Sequence, residues 1–143
     1  MGSASDMPIM EKVGTQLGEF CIEYEIIVSS AHRNPERTAK LASEAKDRGA
    51  KVIIAGAGLA AALPGSMAAH TSLPVIGVPL AAGALNGIDS LLSIAQMPPG
   101  VPVATVGIGA HKNAAVLAAQ IIALTDSAVA EKLAEFRRKQ SEG

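Results

Sequence analysis

His32 and Arg33 stand side by side in the segment SSAHRNP, residues 29–35. A histidine can take up and release a proton near neutral pH, and an arginine binds anions such as phosphate. An apolar run at residues 24–28 leads into this segment, at the point where ligands bind in open α/β sheets, and a helix-like stretch follows it. The pattern indicates a proton-transfer group beside an anion anchor. A surface histidine next to an ion pair between Arg33 and Glu36 is the alternative.

A second polar loop, GSASD at residues 2–6, stands in front of a predicted helix. Its hydroxyl groups, its backbone N–H groups and the carboxylate of Asp6 suit a phosphate and a ribose. An ordinary helix cap explains the same residues. The loop is not a Walker loop, because no Gly-Lys-Ser/Thr follows, and it lacks the dinucleotide-binding fingerprint.

Other residues that often do chemistry are isolated in this chain. The segment GAG at residues 56–58 either lets a flat ligand approach the backbone or forms a tight turn from strand to helix. His70 and His111 are expected to be structural, and three scattered histidines have no metal-ligand spacing, so no metal site is predicted. Cys21, the single cysteine, is expected to be a small buried hydrophobic residue. No Ser-His-Asp order or nucleophile elbow favours hydrolysis.

The composition favours a soluble globular protein with one domain, residues 1–143. With 17% charged residues and a net charge of −1, the chain has no general attraction for nucleic acid or acidic membranes. Aromatic residues make up only 2%, which argues against stacking platforms for single-stranded nucleic acid. Neither a secretory signal nor an uninterrupted membrane span is found, so a reducing, cytoplasmic compartment is expected.

Strand-like and helix-like segments alternate along the chain. Strands are predicted at residues 22–28, 51–55, 74–79 and 103–108. Helices are predicted at residues 8–20, 35–48, 66–71, 89–95, 112–124 and 127–139. This order predicts an α/β fold, a three-layer αβα sandwich of flavodoxin-like or Rossmann-like type with helices on both faces of a central parallel sheet. A loop such as residues 2–6 normally follows a strand, so we expect a first, central strand to be missing from this sequence.

Seven segments carry a family resemblance: MGSASD at 1–6, SAHRNP at 30–35, VIIAGAG at 52–58, LPG at 63–65, LPVIGVP at 73–79, LNGIDSL at 85–91 and QMP at 96–98. Together they cover nearly the whole chain and closely resemble the 5-(carboxyamino)imidazole ribonucleotide mutases of purine biosynthesis. The related carboxylases have a Gly-Arg-Ser-Asn-type segment where this chain has GAGL at 56–59, and a Cys-Pro-Pro-type strand end where it has GVP at 77–79. The mutase class therefore fits better.

The resemblance implies a reaction and an assembly. A carboxyl group moves from the exocyclic nitrogen of an imidazole ribonucleotide to ring carbon four, which gives 5-amino-1-(5-phospho-D-ribosyl)imidazole-4-carboxylate on the route to IMP. No metal, ATP or organic cofactor is implied. The family assembles as a homo-octamer with its sites at subunit interfaces. On the C-terminal helix, about residues 127–139, Leu133 and Phe136 are expected to dock on a neighbouring subunit.

The resemblance also assigns residues to roles. Ser3 and Arg33 would hold the phosphate, and Asp6 would hold a ribose hydroxyl. His32 matches the catalytic histidine and would move the proton that ring carbon four loses. The supporting substrate-binding positions are Ser5, Ser30, Ala57 and Gly58.

One position departs from the mutase pattern. Many mutases have a second active-site histidine in the third loop, where this chain has Ala62. Either that histidine is dispensable, or His70 or a neighbouring subunit compensates for it. An aminoimidazole ribonucleotide carboxylase that uses free carbon dioxide, and a non-catalytic nucleotide-binding paralogue, are the alternative functions.

Overall fold

A parallel sheet of three strands in the order β1-β2-β3 lies at the centre of the computed structural model, which describes residues 1–143. The strands are β1 Ile53–Gly58, β2 Val75–Leu80 and β3 Ala104–Thr105. The helices are α1 Met7–Glu19, α2 Pro35–Glu44, α3 Ala62–Ala69, α4 Ile88–Ala95, α5 His111–Ala123 and α6 Ser127–Glu142, with a short 3₁₀ turn, Ala4–Asp6, before α1. None of these helices combines the length and the apolar character needed to cross a membrane.

Strand β2 is buried along its whole length and divides the core into two halves. Its even-numbered side chains, from Ile76 to Leu80, pack with α1 and α5. On the opposite face Val75 packs with side chains of α3 and α4, among them Met67 and Ile94. Side chains that alternate between two covered faces are what a central strand requires. The predicted three-layer α/β sandwich is confirmed.

Glycine lets helices on both faces approach the sheet closely. A Cβ atom at Gly77 would lie 3.0 Å from Cγ1 of Val103 and would also meet Ile94 of α4. On the other face, a Cβ atom at Gly56 would meet the sulfur of Met10 in α1 and lie 3.3 Å from its Cγ. At these two positions the helices therefore rest on bare strand backbone.

The strand predicted at residues 22–28 is wrong, because no strand forms there. A strand needs a neighbour to pair with, and the space between this segment and β1 contains only the first two residues of the chain. The Met1 ammonium donates to the Ile27 carbonyl at 2.9 Å. On the other side, the Gly2 N–H donates to the Gly56 carbonyl of β1 at 3.1 Å. Met1 and Gly2 thus occupy the position of the first, central strand expected from the sequence.

Three smaller expectations also differ from the structure. Helix α3 begins at Ala62, before the predicted start at residue 66, since Pro64 is tolerated in the first turn of a helix. The last strand covers only Ala104–Thr105, because its pairing with β2 is limited to two residues. Cys21 is exposed rather than buried, because it follows the end of α1 in a left-handed turn with φ of 58°.

The C-terminal helix α6 packs on its own chain, next to α5 and the end of α1. The rings of Phe136 and Phe20 meet edge to face with centroids 5.3 Å apart. Val129 is buried in the same cluster, and Leu133 is partly buried against it. Contact of this helix with a neighbouring subunit stays a prediction.

The close packing at Gly77 can be tested by substitution. Gly77→Ala is expected to lower the free energy of unfolding by about 1–3 kcal/mol, because the added methyl group meets Ile94 and Val103. Gly18→Ala is the matched control, since nothing lies within 4 Å of a Cβ atom at this position of α1. Alanine favours a helix, so the control should keep its stability or gain up to about 1 kcal/mol. Urea unfolding of both variants measures the difference, and equal stabilities would contradict the packing of α4 on β2.

Candidate active site

The loop that carries Ser3 and Asp6 and the loop that carries His32 lie together at the carboxyl edge of the sheet. The Met1 carbonyl accepts a hydrogen bond of 2.8 Å from the Ser29 N–H, at the start of the histidine loop. The Gly2 N–H donates to the Gly56 carbonyl of β1 at 3.1 Å. Two consecutive residues therefore connect both candidate loops to the sheet.

Ser3 caps the 3₁₀ turn, Ala4–Asp6, that leads into α1. The Ser3 N–H donates to Oδ2 of Asp6 at 3.0 Å. The Ser3 Oγ accepts from the N–H of Ser5 at 3.3 Å and from the hydroxyl of Ser5 at 2.9 Å. The helix-cap interpretation is correct, and it fixes the loop without a ligand. The second carboxylate oxygen of Asp6 and the hydroxyl hydrogen of Ser3 stay available for one.

The histidine loop is closed by the cap of the following helix. Oδ1 of Asn34 accepts the Arg37 N–H at 3.0 Å, and a proline stands at the first helical position, where its missing N–H costs nothing. The Asn34 N–H donates to the Ser30 carbonyl at 2.9 Å. These bonds hold residues 31–33 in a tight turn directly in front of α2.

A buried pair of hydroxyl groups lies beneath this turn. The Oγ of Ser29 and the Oγ1 of Thr38 are 2.9 Å apart, and the two residues are 3% and 0% exposed. Thr38 has one hydroxyl hydrogen and donates it to the Asn34 carbonyl at 3.2 Å. Ser29 is therefore the donor within the pair, and Thr38 connects the start of the loop to its end.

Arg33 and His32 have no carboxylate partner. The backbone N–H and the Nε–H of Arg33 both donate to Oγ of Ser30 at 3.3 Å. Arg33 takes part in none of the ion pairs, so the pair with Glu36 considered above is not formed. The His32 side chain is exposed and unpaired. The outer guanidinium nitrogens of Arg33 are thus available to bind an anion. Both ring nitrogens of His32 are available to exchange a proton with the same ligand.

The third loop has a packing explanation of its own. A Cβ atom at Gly58, the last residue of β1, would lie 3.2 Å from Cβ of Ala82 and 3.3 Å from the Leu80 carbonyl, so close packing against the end of β2 explains this glycine. Ala57 is 6% exposed and packs in the core. Substrate binding by Ala57 and Gly58 stays a prediction.

His70 and Ala62 lie at opposite ends of α3. Eight residues of helix separate them by about 12 Å along the axis. Because α3 runs from the end of β1 back to the start of β2, Ala62 lies at the carboxyl edge and His70 at the amino edge. The His70 Nδ1 is 2.8 Å from the Ser66 carbonyl. His70 therefore cannot replace a histidine at position 62 of the same chain.

The model of the AIR carboxylase family matches the chain over residues 1–143. The chain belongs to the AIR carboxylase family. The resemblance carried by the seven sequence segments is confirmed.

Individual relatives agree with membership of the AIR carboxylase family. An N5-carboxyaminoimidazole ribonucleotide mutase of Pyrococcus abyssi is 56% identical over 137 residues, which are 96% of this chain and 79% of that protein. A phosphoribosylaminoimidazole carboxylase of Candida glabrata is 51% identical over 142 residues, 99% of this chain and 25% of that protein. The crystal structure of Treponema denticola PurE is similar with a TM-score of 0.90 and 33% identity, covering 99% of this chain and 89% of that one.

Sequence reasoning missed the residues that support the histidine loop of this AIR carboxylase family member. Asn34 before a proline is a readable signal for a helix cap. Ser29 and Thr38 gave no such signal, because two polar residues nine positions apart are recognised as partners only when both are buried.

Exposed apolar side chains lie at the same edge of the sheet as His32. They belong to the loops that follow β1, β2 and β3 and to the first residue of α4. The most exposed are Leu59 at 53%, Leu85 at 57%, Ile88 at 57% and Ile108 at 39%. A single chain of this AIR carboxylase family member therefore leaves the site open to solvent and rimmed with apolar surface.

The hydroxyl pair beneath the loop can be tested with two substitutions. Thr38→Val is expected to lower the free energy of unfolding by about 1–3 kcal/mol, because it leaves the buried Ser29 hydroxyl without an acceptor. Ser29→Ala should cost less, about 0.5–1.5 kcal/mol, because Thr38 keeps the Asn34 carbonyl as its acceptor. Urea unfolding compares the two. If Ser29→Ala costs as much as Thr38→Val, the assignment of donor and acceptor is wrong.

Proposed function

We propose that this chain is an isomerase that converts N5-carboxyaminoimidazole ribonucleotide into 5-amino-1-(5-phospho-D-ribosyl)imidazole-4-carboxylate in de novo purine biosynthesis. The observation that carries the proposal is the unpaired His32 beside Arg33 at the carboxyl edge of the sheet, in a chain 56% identical to a mutase. Membership of the AIR carboxylase family supports the imidazole ribonucleotide as substrate.

The two capped loops supply the binding groups for this substrate. Arg33 and Ser3 bind the phosphate, since a guanidinium and a hydroxyl both donate hydrogen bonds to phosphate oxygens. Ser30 accepts from Nε of Arg33 at 3.3 Å and so orients the guanidinium. The free carboxylate oxygen of Asp6 accepts a hydrogen bond from a ribose hydroxyl. The hydroxyl of Ser5 donates to the Ser3 hydroxyl and keeps it in place. The backbone of Ala57 and Gly58 lines the side of the imidazole ring.

His32 moves the proton in the proposed reaction. The bond between the exocyclic nitrogen and the carboxyl carbon breaks, and its electron pair stays on nitrogen, which takes a proton from the His32 imidazolium. Carbon four of the ring then attacks the released carbon dioxide and becomes tetrahedral. Neutral His32 removes the proton of that carbon, which restores the aromatic ring and the imidazolium. The net change is the transfer of one carboxyl group, and the scheme uses no metal or organic cofactor.

Ala62 makes His32 the sole acid–base residue of this scheme. Where many mutases have a second histidine, this chain has the methyl group of Ala62. His70 lies at the other edge of the sheet. The same imidazole must therefore both donate and accept the proton. This is possible because the proton given to nitrogen equals the one taken from carbon four.

We also propose that the chain forms a homo-oligomer, an octamer by family resemblance, and that it is located in the cytoplasm. Carbon dioxide must be kept from solvent between its release and its capture, which turns a bimolecular encounter into a local one. His32 is exposed in the single chain, and apolar side chains such as Leu85, 57% exposed, rim the site. A neighbouring subunit that covers this rim, with the C-terminal helix α6 contributing to the contacts, would close the site.

An isotope experiment separates the mutase from the carboxylase alternative, which the 51% identity to the Candida glabrata carboxylase favours. The purified chain is given the carboxyamino substrate labelled with ¹³C in its carboxyl group, in buffer containing unlabelled bicarbonate. A mutase keeps most of the label in the 4-carboxylate product, because the same carbon dioxide is recaptured. Mass spectrometry of the product measures the retained label. Product from aminoimidazole ribonucleotide and bicarbonate alone, at an equal or higher rate, would establish the carboxylase instead.

The role of His32 is tested by His32→Asn, with His70→Asn as the matched control. We expect His32→Asn to lower kcat at least about 100-fold with little change in KM, since it removes the proton shuttle but not the phosphate anchor. His70→Asn should leave both constants within a factor of two or so, because His70 lies about 12 Å from the start of α3. Undiminished kcat in His32→Asn would exclude the catalytic role. A wild-type chain that binds the ribonucleotide without turnover would point to the non-catalytic paralogue.

A further inference from the structure

The imidazole of His32 is exposed and has no hydrogen-bond partner that could orient it. Arg33 differs in this respect, because its Nε–H donates to Oγ of Ser30 at 3.3 Å. The position of the imidazole relative to a bound ligand is therefore set by the backbone of the turn at residues 31–33.

This turn is held at its two ends. At the first end, the Ser29 N–H donates to the Met1 carbonyl at 2.8 Å. At the second end α2 begins, and Ala42 of this helix is 0% exposed and packs in the core beside α3. Between the ends, Ala31 is partly buried against the same core cluster. The place of the turn therefore depends on how firmly its first end is connected to α2.

Two hydroxyl groups make that connection. Oγ of Ser29 donates to Oγ1 of Thr38 across 2.9 Å, and Oγ1 of Thr38 donates to the Asn34 carbonyl at 3.2 Å. The backbone N–H of Thr38 donates to the same carbonyl, also at 3.2 Å. We call the connection from Ser29 through Thr38 to Asn34 the hydroxyl bridge. It joins the residue before the turn to the residue after it and to the first turn of α2.

Solvent cannot take the place of the hydroxyl bridge. Ser29 is 3% exposed and Thr38 is 0% exposed. Valine at position 38 would fill the volume of the hydroxyl with a methyl group. Alanine at position 29 would leave a gap of one oxygen atom, which is too small to hold a water molecule. Loss of either hydroxyl therefore lets the two ends of the turn move relative to each other.

Such movement affects the two functional side chains of the turn differently. The side chain of Arg33 is long and has many rotamers, so its guanidinium can follow an anion when the backbone shifts. The imidazole of His32 is short, and proton transfer requires heavy atoms within about 2.6–3.2 Å of each other. A misplacement of about 1 Å can lower a rate about 100-fold. Movement of the turn therefore impairs proton transfer much more than ligand binding.

We propose that Thr38 is a positioning residue for His32 and acts through the hydroxyl bridge. This role rests on the proposed function, in which His32 moves the proton of ring carbon four. Thr38 and Ser29 lie buried beneath the turn and do not reach the substrate. They hold the turn at the distance from the Ser3 loop at which the imidazole reaches the ring. The rate of proton transfer thus depends on the two hydroxyl groups, and not on stability as such.

Three substitutions separate positioning from stability. Thr38→Val and Ser29→Ala both break the hydroxyl bridge, so each is expected to lower kcat about 10- to 100-fold while KM stays within about threefold. Thr38→Ser keeps the hydroxyl group but removes a buried methyl group. It should lower Tm by about 2–5 °C and keep kcat within about threefold of the wild-type value. Steady-state kinetics, well below the lowest Tm, and thermal unfolding measure these quantities.

Ser43→Ala is the matched control on the exposed face of the same helix. The Ser43 hydroxyl donates only to the Lys40 carbonyl, at 3.0 Å, so kcat should change by less than about twofold. If kcat falls in parallel with Tm in all variants, Thr38→Ser included, Thr38 is only a structural residue. A wild-type kcat in Ser29→Ala would also overturn the positioning role. Both results leave the proposed function intact, whereas a wild-type chain without turnover would overturn the proposed function and this role with it.

Amide exchange tests the hydroxyl bridge without substrate. The Asn34 N–H donates to the Ser30 carbonyl at 2.9 Å and so closes the turn. We expect this amide to exchange at least about fivefold faster in Ser29→Ala than in the wild type, because the two ends of the turn are no longer joined. In Thr38→Ser its exchange should match the wild type. Equal exchange in Ser29→Ala and the wild type would mean that the bridge does not hold the turn, and would overturn the positioning role.

Discussion

The backbones of Met1 and Gly2 connect both loops of the candidate site to the sheet. They bond to the start of the histidine loop on one side and to β1 on the other. The Ser3 cap follows immediately along the chain. Hydrogen bonds of 2.8–3.1 Å between backbone groups therefore position Ser3 and Asp6 relative to His32, although these residues lie on different segments. Without the hydrogen bonds of these two residues, the two loops would not be held at fixed positions relative to each other.

The caps explain why the site can be selective for a charged ligand. Each loop satisfies its own backbone groups: the Ser3 loop through Asp6, and the histidine loop through Asn34. What remains unpaired are the outer guanidinium nitrogens of Arg33, the imidazole of His32 and one carboxylate oxygen of Asp6. Because their supports are already bonded, little conformational entropy is lost when a ligand binds, and the interaction energy is kept for recognition.

The three layers of the fold could be predicted from the sequence, but which strands pair in the sheet could not be predicted completely. Strand β2 could be recognised because all of its residues are apolar and it is covered on both faces. Residues 22–28 show the same apolar pattern, but whether they pair depends on a neighbour that no local pattern encodes. Similarly, the cap at Asn34 is local and readable, while the bond between Ser29 and Thr38 depends on burial. The unpaired state of Arg33 required the structure, since Glu36 lies within reach along the sequence.

The single hydroxyl of Thr38 has a dynamic consequence. It bonds to Ser29 at one end of the histidine loop and to the Asn34 carbonyl at the other, and it belongs to the first turn of α2. The loop therefore cannot open by itself: any opening also breaks the first turn of the helix. The histidine loop and the first turn of α2 therefore unfold together, as one cooperative unit with a single local free energy of unfolding. An anion bound at Arg33 would thus slow the fraying of α2, and the stiffness of this helix would in turn limit how far His32 can move from the ligand.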